Sequence, residues 1–592
     1  MGHTKQTINV IAIIWMSLHL SYCGRELSGQ GGGTITSTAT YVKLGGTISG
    51  IYGPIIIDNG IGEQLRIEED GAFEFTNLIG NGSSYDISIA GGIRGVTCDI
   101  EGGHGVVQSS QNITSIHITC QPICGDGQWD LVASSNALTS APNFVASRNI
   151  AGDTDIVFSS PSLKHMHRNA NSLWESQRTL LDINNQSITG ATDIRLATSQ
   201  SGETLLSFKK PHNTDLYVAH GAQAGTIQTF AINKIYALIG QGQNWDQLDP
   251  DAPLSNISNG TPWTVAGSQQ TLIKHVHFMS NGTRMILGEL WEDLQDPNDS
   301  MAQPTPTLES TFEHTAAINA SYSNEMSIVP SYLLTNALTI TASDSAGDYT
   351  AVLLTQQSPP YHSYLRINHA GTWSDTIAAN LRDDVPAEYI AINEQGKVVL
   401  AGTGVDPNNT NLGGLLVRTY HNMTWSEPMA YTDALSFLSK GDVVKFDMDI
   451  DLQGNIGLAW AQKDANNDYS MYAARFDVLT DVWDQPTSPA KRIGPIGERI
   501  SEIEVAMNNF DEMIIARREI SFAPTARKLF LSTYKQGKWT HSIGQPFAQD
   551  SILLNDLQLI PAKNTCDTSI AYSGQELSAT TGKIFVRTFT TP

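Results

Sequence analysis

The chain has 592 residues, of which 40% are hydrophobic and 16% are charged, so its composition is that of a folded protein and not of a disordered one. Its formal net charge of −24 opposes binding to nucleic acid or to an anionic membrane surface. A chain of this length is too long for one hydrophobic core, unless it is built from repeated units that pack only on their neighbours.

The N-terminus indicates an exported protein. A short apolar stretch at residues 8–20 follows the basic Lys5 and is too short for a typical membrane span. It ends in the sequence LSYCG, which resembles the lipobox of bacterial lipoproteins. That resemblance implies that Cys23 is lipidated. If Cys23 is not lipidated, it is removed together with the signal peptide. We predict a signal peptide at 1–23, a flexible tether at 24–33, and a location in the cell envelope or at the cell surface, anchored in the outer membrane or secreted.

Residues 34–122 are predicted to form a small β-sandwich domain. Asp70-Gly71 and Asn81-Gly82 are turn signals within it. Apolar and polar residues alternate in segments around these turns, as they do in half-buried strands. The segments are Gln64–Ile67, Ala72–Phe75 and Tyr85–Ile89.

This domain resembles a small repeat domain of bacterial surface lipoproteins and adhesins. The residues that carry the resemblance are Gly45–Gly50, Asp70–Phe75, Tyr85–Ile89, Thr97–Ile100 and Ile116–Cys120. The resemblance implies a spacer or presentation module without catalysis. It also implies a disulfide that joins the strand at Cys98 to the last strand at Cys120.

Four cysteines remain besides Cys23, an even number that suits an oxidising compartment. They are Cys98, Cys120, Cys124 and Cys566, and they allow three pairings. The chain has no C-x-x-C sequence, and no pair of histidines lies near Cys120 and Cys124. A zinc site is therefore not expected at the cysteines.

From Asn143 to the C-terminus, an apolar strand, a polar turn and a second apolar strand recur eight times. Six copies have a glycine in the turn, at Gly152, Gly202, Gly282, Gly347, Gly396 and Gly454, and two copies, around Asp511 and Cys566, do not. A repeated sheet-forming unit is typical of a β-propeller. We predict a propeller over 123–592 with eight blades, or seven if the unit near Gly282 is an insertion.

The end of the chain predicts how the ring closes. After Trp539 there are three strands, at 557–561, 568–572 and 583–588, and no fourth strand with a tryptophan. A surplus strand around Trp129 precedes the first unit. Adding it to the last blade would remove the open sheet edges and bring Cys124 toward the blade that holds Cys566, so we favour a disulfide between these two cysteines. We interpret the regularly spaced tryptophans as packing between blades.

The blades that end in tryptophan resemble sialidase-like and lectin-like propellers. The segment Asn368–Trp373 keeps only the Gly-Thr-Trp end of the sialidase turn motif. A sialidase site would also need three arginines on a carboxylate and a tyrosine–glutamate pair. Arg517, Arg518 and Glu519 are candidates that could face the channel, but the sequence gives no arginine triad.

Three acids offer a candidate metal site. Asp447, Asp449 and Asp451 alternate along one strand, so that their carboxylates face one way and favour a cation. The sequence from Asp449 begins like a calcium loop, but Trp460 stands where the bidentate acid belongs. We expect either no cofactor or calcium at these acids, and hydrogen bonds between blades together with solvation are the alternative role of the three carboxylates. The paired histidines His165/His167 and His275/His277 could also ligate a metal, but we interpret them as ordinary strand residues.

Taken together, these patterns predict an all-β surface protein with a non-enzymatic binding or scaffold role, exerted through one face or the channel mouth of the propeller. The alternatives are a sialidase-like glycoside hydrolase and a carbohydrate-binding lectin. The expected partner is an envelope protein or a glycan. Nucleic acid is not an expected partner, and membrane contact is expected only through an N-terminal lipid.

Overall fold

The computed structural model describes residues 41–590 with gaps, of which the longest are 249–268, 295–304, 431–440, 485–498 and 542–551. Every regular element in the described residues is a β-strand, so the all-β prediction is confirmed. No helix in this part of the chain is long and apolar enough to cross a membrane. The predicted signal peptide, the tether and Cys23 lie outside the described residues.

The N-terminal unit contains eleven strands in the described residues. They are β1 Tyr41–Val42, β2 Leu44–Ser49, β3 Ile55–Asp58, β4 Gln64–Ile67, β5 Gly71–Glu74, β6 Ile79–Gly80, β7 Ser84–Asp86, β8 Ser88–Gly92, β9 Val96–Glu101, β10 His104–Val106 and β11 Ile113–Pro122. The two larger sheets run in the orders β5-β2-β11-β9 and β4-β3-β8. Both sheets bury their apolar residues, such as Ile48, Ile57 and Ile116, in one shared core.

Strands β9 and β11 pair antiparallel, with Cys98 directly opposite Cys120. These two residues form a disulfide, as the family resemblance implied. The predicted strands at 64–67 and 72–75 correspond to β4 and β5, whereas the segment 85–89 is divided between β7 and β8.

The rest of the chain forms eight antiparallel sheets in the described residues, numbered here 1 to 8 in chain order. Sheet 1 comprises β13 Phe144–Arg148, β14 Thr154–Ser159, β15 Leu163–Arg168 and β16 Arg178–Thr179, and sheet 2 comprises β17 Thr192–Thr198, β18 Glu203–His220, β19 Ile227–Gln241 and β20 Asn244–Trp245. Sheet 3 comprises β21 Gln269–Phe278, β22 Arg284–Leu294, β23 Thr305–Ala316 and β24 Met326–Val329. Sheet 4 comprises β25 Ala337–Ser343, β26 Tyr349–Gln356, β27 Ser363–His369, β28 Thr372–Trp373 and β29 Ile377–Ala378.

Sheets 5 to 8 repeat the same arrangement. Sheet 5 comprises β30 Tyr389–Ile392, β31 Val398–Asp406, β32 Asn409–His421, β33 Thr424–Trp425 and β34 Met429–Ala430. Sheet 6 comprises β35 Gly441–Ile450, β36 Ile456–Asp464, β37 Tyr469–Asp477 and β38 Val482–Asp484, and sheet 7 comprises β39 Arg499–Met507, β40 Met513–Ile520, β41 Arg527–Lys535 and β42 Lys538–His541. Sheet 8 comprises β43 Ile552–Pro561, β44 Thr568–Glu576 and β45 Gly582–Thr590. The early strand β12, Gln128–Ser134, completes sheet 8.

The eight sheets follow one another around a closed ring, which is a β-propeller-like architecture. The first strand of each sheet contacts the first strand of the next, and β43 of sheet 8 returns to β13 of sheet 1. Strand β12 pairs antiparallel with β45, and Cys124 is bonded to Cys566 beside this junction. The predicted closure and the second predicted disulfide are therefore present.

Neighbouring sheets are held together by separate hydrophobic clusters. Between sheets 5 and 6, for example, Val399 and Met448 pack with the fully buried Trp460. The tryptophans at the strand ends pack both within their own sheet and against a neighbouring one. The rings of Trp425 and Tyr420 in sheet 5 lie 4.8 Å apart, whereas the ring of Trp245 in sheet 2 lies 4.9 Å from that of His165 in sheet 1. These contacts agree with a packing role for the tryptophan series.

Candidate functional site

The turn between the first and second strands of a sheet, called here the first turn, has a recurrent design. In sheet 5, Oδ1 of Asn393 accepts hydrogen bonds from the backbone N–H groups of Gln395 and Lys397. Gly396 completes the turn with a φ of 71°, a conformation that favours glycine. In sheet 7, Asp511 adopts a φ of 65° at the corresponding position, which explains how this copy of the repeat forms without a glycine.

A pocket of about 500 Å³ lies among the first turns of sheets 1 to 4. Its wall is largely polar and includes Arg148, Thr198, His275, His277, Ser343 and Asp344. These residues lie at or near the ends of β13, β17, β21 and β25, just before the turns. The pocket therefore gathers side chains that are far apart in the sequence.

Two neutral histidines lie on one wall of the pocket. Burial, aided by the charge of Arg195, lowers the pKa of His275 to about 4. Burial and the neighbouring His275 lower the pKa of His277 to about 3. His275 Nε2 shares a hydrogen bond of 2.9 Å with the Ser343 hydroxyl, whereas Nε2 of the buried His277 has no hydrogen-bond partner among the described residues. That nitrogen is available to a ligand.

Asp344 is buried with one carboxylate oxygen unpaired. Its Oδ1 accepts hydrogen bonds from the backbone N–H groups of Gly347 at 2.8 Å and Tyr349 at 3.3 Å. Its Oδ2 has no hydrogen-bond partner among the described residues, although Asp344 is only 5% exposed. Burial raises the pKa of Asp344 to about 7, and the nearby acids Asp348 and Glu394 add to the rise.

Arg148 is the cation of the pocket wall. Its Nη1 donates to the backbone oxygen of Asp567 at 3.3 Å, and its Nη2 lies 3.9 Å from the carboxylate of the same residue. Its Nε has no hydrogen-bond partner in the described part of the chain. Burial outweighs the attraction of Asp567 and lowers the pKa of Arg148 to about 10, so that the guanidinium keeps its charge at neutral pH.

The chemistry of these residues favours binding over catalysis. His275, whose pKa is lowered to about 4, is a weak base and activates a serine poorly. Asp344 is the one carboxylate among the described residues that line the pocket. The described lining thus offers one carboxylate and not the pair on which most glycosidases depend.

Asp155, His165 and His167 form the one group of three histidine, cysteine or acidic residues in the described chain whose ligand atoms all lie within 4.8 Å. His165 Nε2 and His167 Nδ1 bond to Asp155 Oδ1 at 2.7 and 2.8 Å. Trp245 donates from Nε1 to His165 Nδ1, which leaves the proton of the neutral ring on Nε2. A protonated Nε2 cannot bind a metal, so we interpret the group as a hydrogen-bond network.

This network ties sheet 1 to sheet 2. The hydroxyls of Thr198 and Thr204 donate to Asp155 Oδ2, at 3.2 and 2.7 Å. Burial alone would raise the pKa of Asp155, but the bonds from both histidines lower it to about 2. Burial would likewise lower the pKa of His167, yet its bond to Asp155 raises it to about 9. Asp155 and His167 therefore form a buried ion pair.

The three candidate calcium ligands lie on β35 and its turn and accept hydrogen bonds from the protein. Asp447 Oδ2 accepts from the N–H of Val505 at 2.6 Å, and Asp449 Oδ2 accepts from that of Met507 at 2.8 Å and from Lys563. Asp451 caps its own first turn, where three backbone N–H groups donate to its Oδ1. Calcium binding at these acids stays a prediction.

Arg517 and Glu519 do not line the pocket. Arg517 is fully buried on β40, where its Nε donates to Glu519 Oε1 at 2.7 Å and its guanidinium covers the ring of Phe530. Arg518 instead pairs with Glu502 at 3.1 Å. The expectation that these residues could together form a sialidase-like site is not supported by this arrangement, because Arg517 is enclosed within the sheets.

Sequence reasoning named His275 and His277 but missed Arg148, Ser343 and Asp344. Asp344 could have been noticed by aligning the turns, because an acid stands there where sheets 1 and 5 have Asn149 and Asn393. Its burial and its unpaired oxygen depend on the neighbouring sheets and could not be read from the turn alone.

No protein-family model and no curated protein matches the sequence. Among solved structures, the chain is similar to a protein of unknown function from Dyadobacter fermentans DSM 18053 at 8% identity, with 70% of this chain and 97% of that chain covered and a TM-score of 0.33. A prolyl endopeptidase matches at 11% identity over 74% of this chain and 55% of its own, with a TM-score of 0.37. The β-propeller domain of the Trilobed protease from Pyrococcus furiosus matches at 11% identity, 68% and 97% coverage and a TM-score of 0.32.

Proposed function

We propose that this chain is an exported surface protein, lipid-anchored at Cys23, whose eight-bladed propeller binds a polar ligand without transforming it. In this proposal residues 34–122 form a β-sandwich spacer, and residues 123–592 form the binding ring. The cyclic order of the eight sheets and the completion of sheet 8 by β12 support the blade count. The two disulfides support passage through an oxidising compartment.

The observation that carries the binding role is the set of unpaired polar atoms around one pocket. Arg148 Nε, His277 Nε2 and Asp344 Oδ2 are buried and have no hydrogen-bond partner among the described residues, and all three side chains line the pocket. A buried polar atom without a partner costs about 1–3 kcal/mol, so such groups are uncommon in folded proteins. Three of them around one cavity favour a ligand that supplies the missing bonds.

The pocket fits a glycan group better than an apolar ligand. Its volume of about 500 Å³ falls within the range of small-molecule sites. Sugar hydroxyls both donate and accept hydrogen bonds, so they can serve the acceptor at His277 and the donor at Arg148. The excess of negative charge on the chain favours a neutral glycan over an acidic one. An envelope protein that presents polar side chains is the other partner that the binding screen would reveal.

A glycoside hydrolase is the second candidate. Asp344 supports it, because a carboxyl group with a pKa of about 7 suits a general acid at neutral pH. The single carboxylate among the described lining residues argues against it. We therefore retain the non-enzymatic role as the main proposal.

The proposal can be tested by a binding screen of glycans and envelope proteins on the chain from Gly31 onward. His277→Phe removes the free acceptor nitrogen but keeps an aromatic ring, and His104→Phe makes the same change at an exposed residue of β10. We expect the ligand of the parent protein to be lost in the first variant and kept in the second. Equal binding by both variants, with folding checked by circular dichroism, would place the binding site elsewhere.

A further inference from the structure

The first residue of a first turn can tie one sheet to the next. In sheet 1, Asn149 donates from Nδ2 to Asp153 Oδ2 in its own turn at 2.9 Å and to the backbone oxygen of Gln200 in the turn of sheet 2 at 3.4 Å. In sheet 5, Asn393 donates from Nδ2 to the backbone oxygens of Asp451 and Leu452 in the turn of sheet 6, at 2.9 and 3.1 Å. An amide suits this position because its oxygen caps its own turn while its nitrogen reaches the neighbouring turn.

Sheets 4 and 6 have an acid at this position. In sheet 6, Asp451 Oδ2 accepts a hydrogen bond from the amide nitrogen of Asn455 at 2.7 Å, whereas the corresponding residue of sheet 4 is Asp348, which has no side-chain amide. Oδ1 of Asp344 caps the turn, as the amide oxygen does in Asn393. Oδ2 of Asp344 is the counterpart of the amide nitrogen, and it is the atom without a hydrogen-bond partner among the described residues. An ionised carboxylate only accepts hydrogen bonds, whereas a protonated one has an O–H that donates. Only the protonated form of Asp344 can therefore act as the asparagines do.

We propose that Asp344 is a proton-operated latch between sheets 4 and 5. When protonated, it donates from Oδ2 to the turn of sheet 5 that contains Asn393 and Glu394, and the same oxygen keeps a lone pair that can accept a hydrogen bond from a ligand. When ionised, it cannot make that bond, and the contact between the first turns of sheets 4 and 5 weakens.

The charged groups around the latch set the pH at which it operates. Burial raises the pKa of Asp344 to about 7, and Asp348 in its own turn and Glu394 in the turn of sheet 5 raise it further, while bonds from Gly347 and Tyr349 oppose the rise. His277 of sheet 3 contacts the backbone of Gly347, but burial keeps this histidine neutral above a pKa of about 3. No positive charge from His277 therefore compensates an ionised Asp344.

The latch is part of the pocket wall. The backbone oxygen of Gly347 accepts a hydrogen bond from the N–H of Ser280 at 2.8 Å, and Ser280, Gly347 and Asp344 all line the pocket. Loss of the contact between the first turns of sheets 4 and 5 therefore alters the wall of the pocket. Weaker ligand binding above neutral pH follows only if the proposed function is correct, whereas the latch itself requires no ligand.

The test compares the full chain with two variants between pH 4.5 and 8.5, by thermal unfolding. Asp344→Asn supplies a permanent donor, and Asn393→Asp places an acid at the corresponding position of sheet 5. Between pH about 4 and 7 the Asp344 carboxyl keeps its proton in the folded state and releases it in the unfolded state. Over this range the unfolding constant of the parent should therefore rise about tenfold per pH unit relative to that of Asp344→Asn. Above pH about 7 the ratio of the two unfolding constants should be constant, and Asp344→Asn should be more stable than the parent.

The matched variant and a local measurement complete the test. Asn393→Asp should acquire a comparable loss of stability as the pH rises. Hydrogen exchange of residues 393–397 in the first turn of sheet 5, corrected for the intrinsic effect of pH, should accelerate above pH 7 in the parent and not in Asp344→Asn. A ratio of unfolding constants that does not change with pH, or an asparagine variant less stable than the parent at pH 8, would overturn the latch. Neither result depends on whether the pocket binds a glycan.

Discussion

Closure of the ring by β12 leads to a quantitative prediction. The disulfide between Cys124 and Cys566 spans 442 residues. Chain entropy alone gives such a loop about 6 kcal/mol of stabilisation, an upper value in a model that often overestimates disulfides. With an unfolding entropy of about 2.1 cal/mol/K per residue, replacing both cysteines by serine should lower the melting temperature of the ring by about 6 °C or less.

Removal of β12 should cost more than removal of the disulfide. Deleting residues 1–132 removes most of β12 and leaves β45 as an open sheet edge, which favours unfolding and aggregation. Deleting residues 1–120 is the matched control, because it removes most of the N-terminal unit but keeps β12 and Cys124. Differential scanning calorimetry should give a melting temperature below that of the double-serine chain for the first truncation only. Melting of both truncations at the parental temperature would refute closure by β12.

Three further predictions concern charge and chemistry. The Asp155–His167 pair should stabilise the fold by about 3 kcal/mol, because the pKa of His167 rises from about 6.5 in the unfolded chain to about 9 in the folded one. This stabilisation is complete below pH about 6.5 and is lost as the pH rises through 9. Thermal unfolding of His167→Gln should lack that alkaline loss, and an unchanged pH profile would contradict the ion pair. The protein should not hydrolyse a fluorogenic sialoside, and turnover that disappears in Arg517→Ala would overturn the non-enzymatic role. Calcium should raise the melting temperature slightly through the acids of β35, and a shift that survives Asp449→Ala would remove that strand from the calcium site.

Much of the ring could be predicted from the sequence, because its signals are local and repeated. The turn glycines mark positions with φ between 71° and 101°, where other residues are disfavoured. The surplus strand at Trp129 predicted the pairing of β12 with β45, since a closed sheet leaves no edge. Cys98 and Cys120 were linked through the family resemblance, and their strands place them directly opposite each other.

The site was less predictable, because it depends on which sheets become neighbours. Alternation along β40 shows that Arg517 and Glu519 share a face, but not that this face is enclosed. His165 and His167 lie two residues apart on one strand and so share a face, but their common partner, Asp155, is supplied by the register of β14 against β15. The unpaired oxygen of Asp344 likewise arises from burial among several sheets.

A crystal structure of the protein with the best ligand from the binding screen would test the central claim most directly. We predict that the ligand lies in the pocket among the first turns of sheets 1 to 4, with a donor group within hydrogen-bond distance of His277 Nε2 or Asp344 Oδ2. A ligand bound outside this pocket, with both atoms still unpaired, would contradict the proposed function.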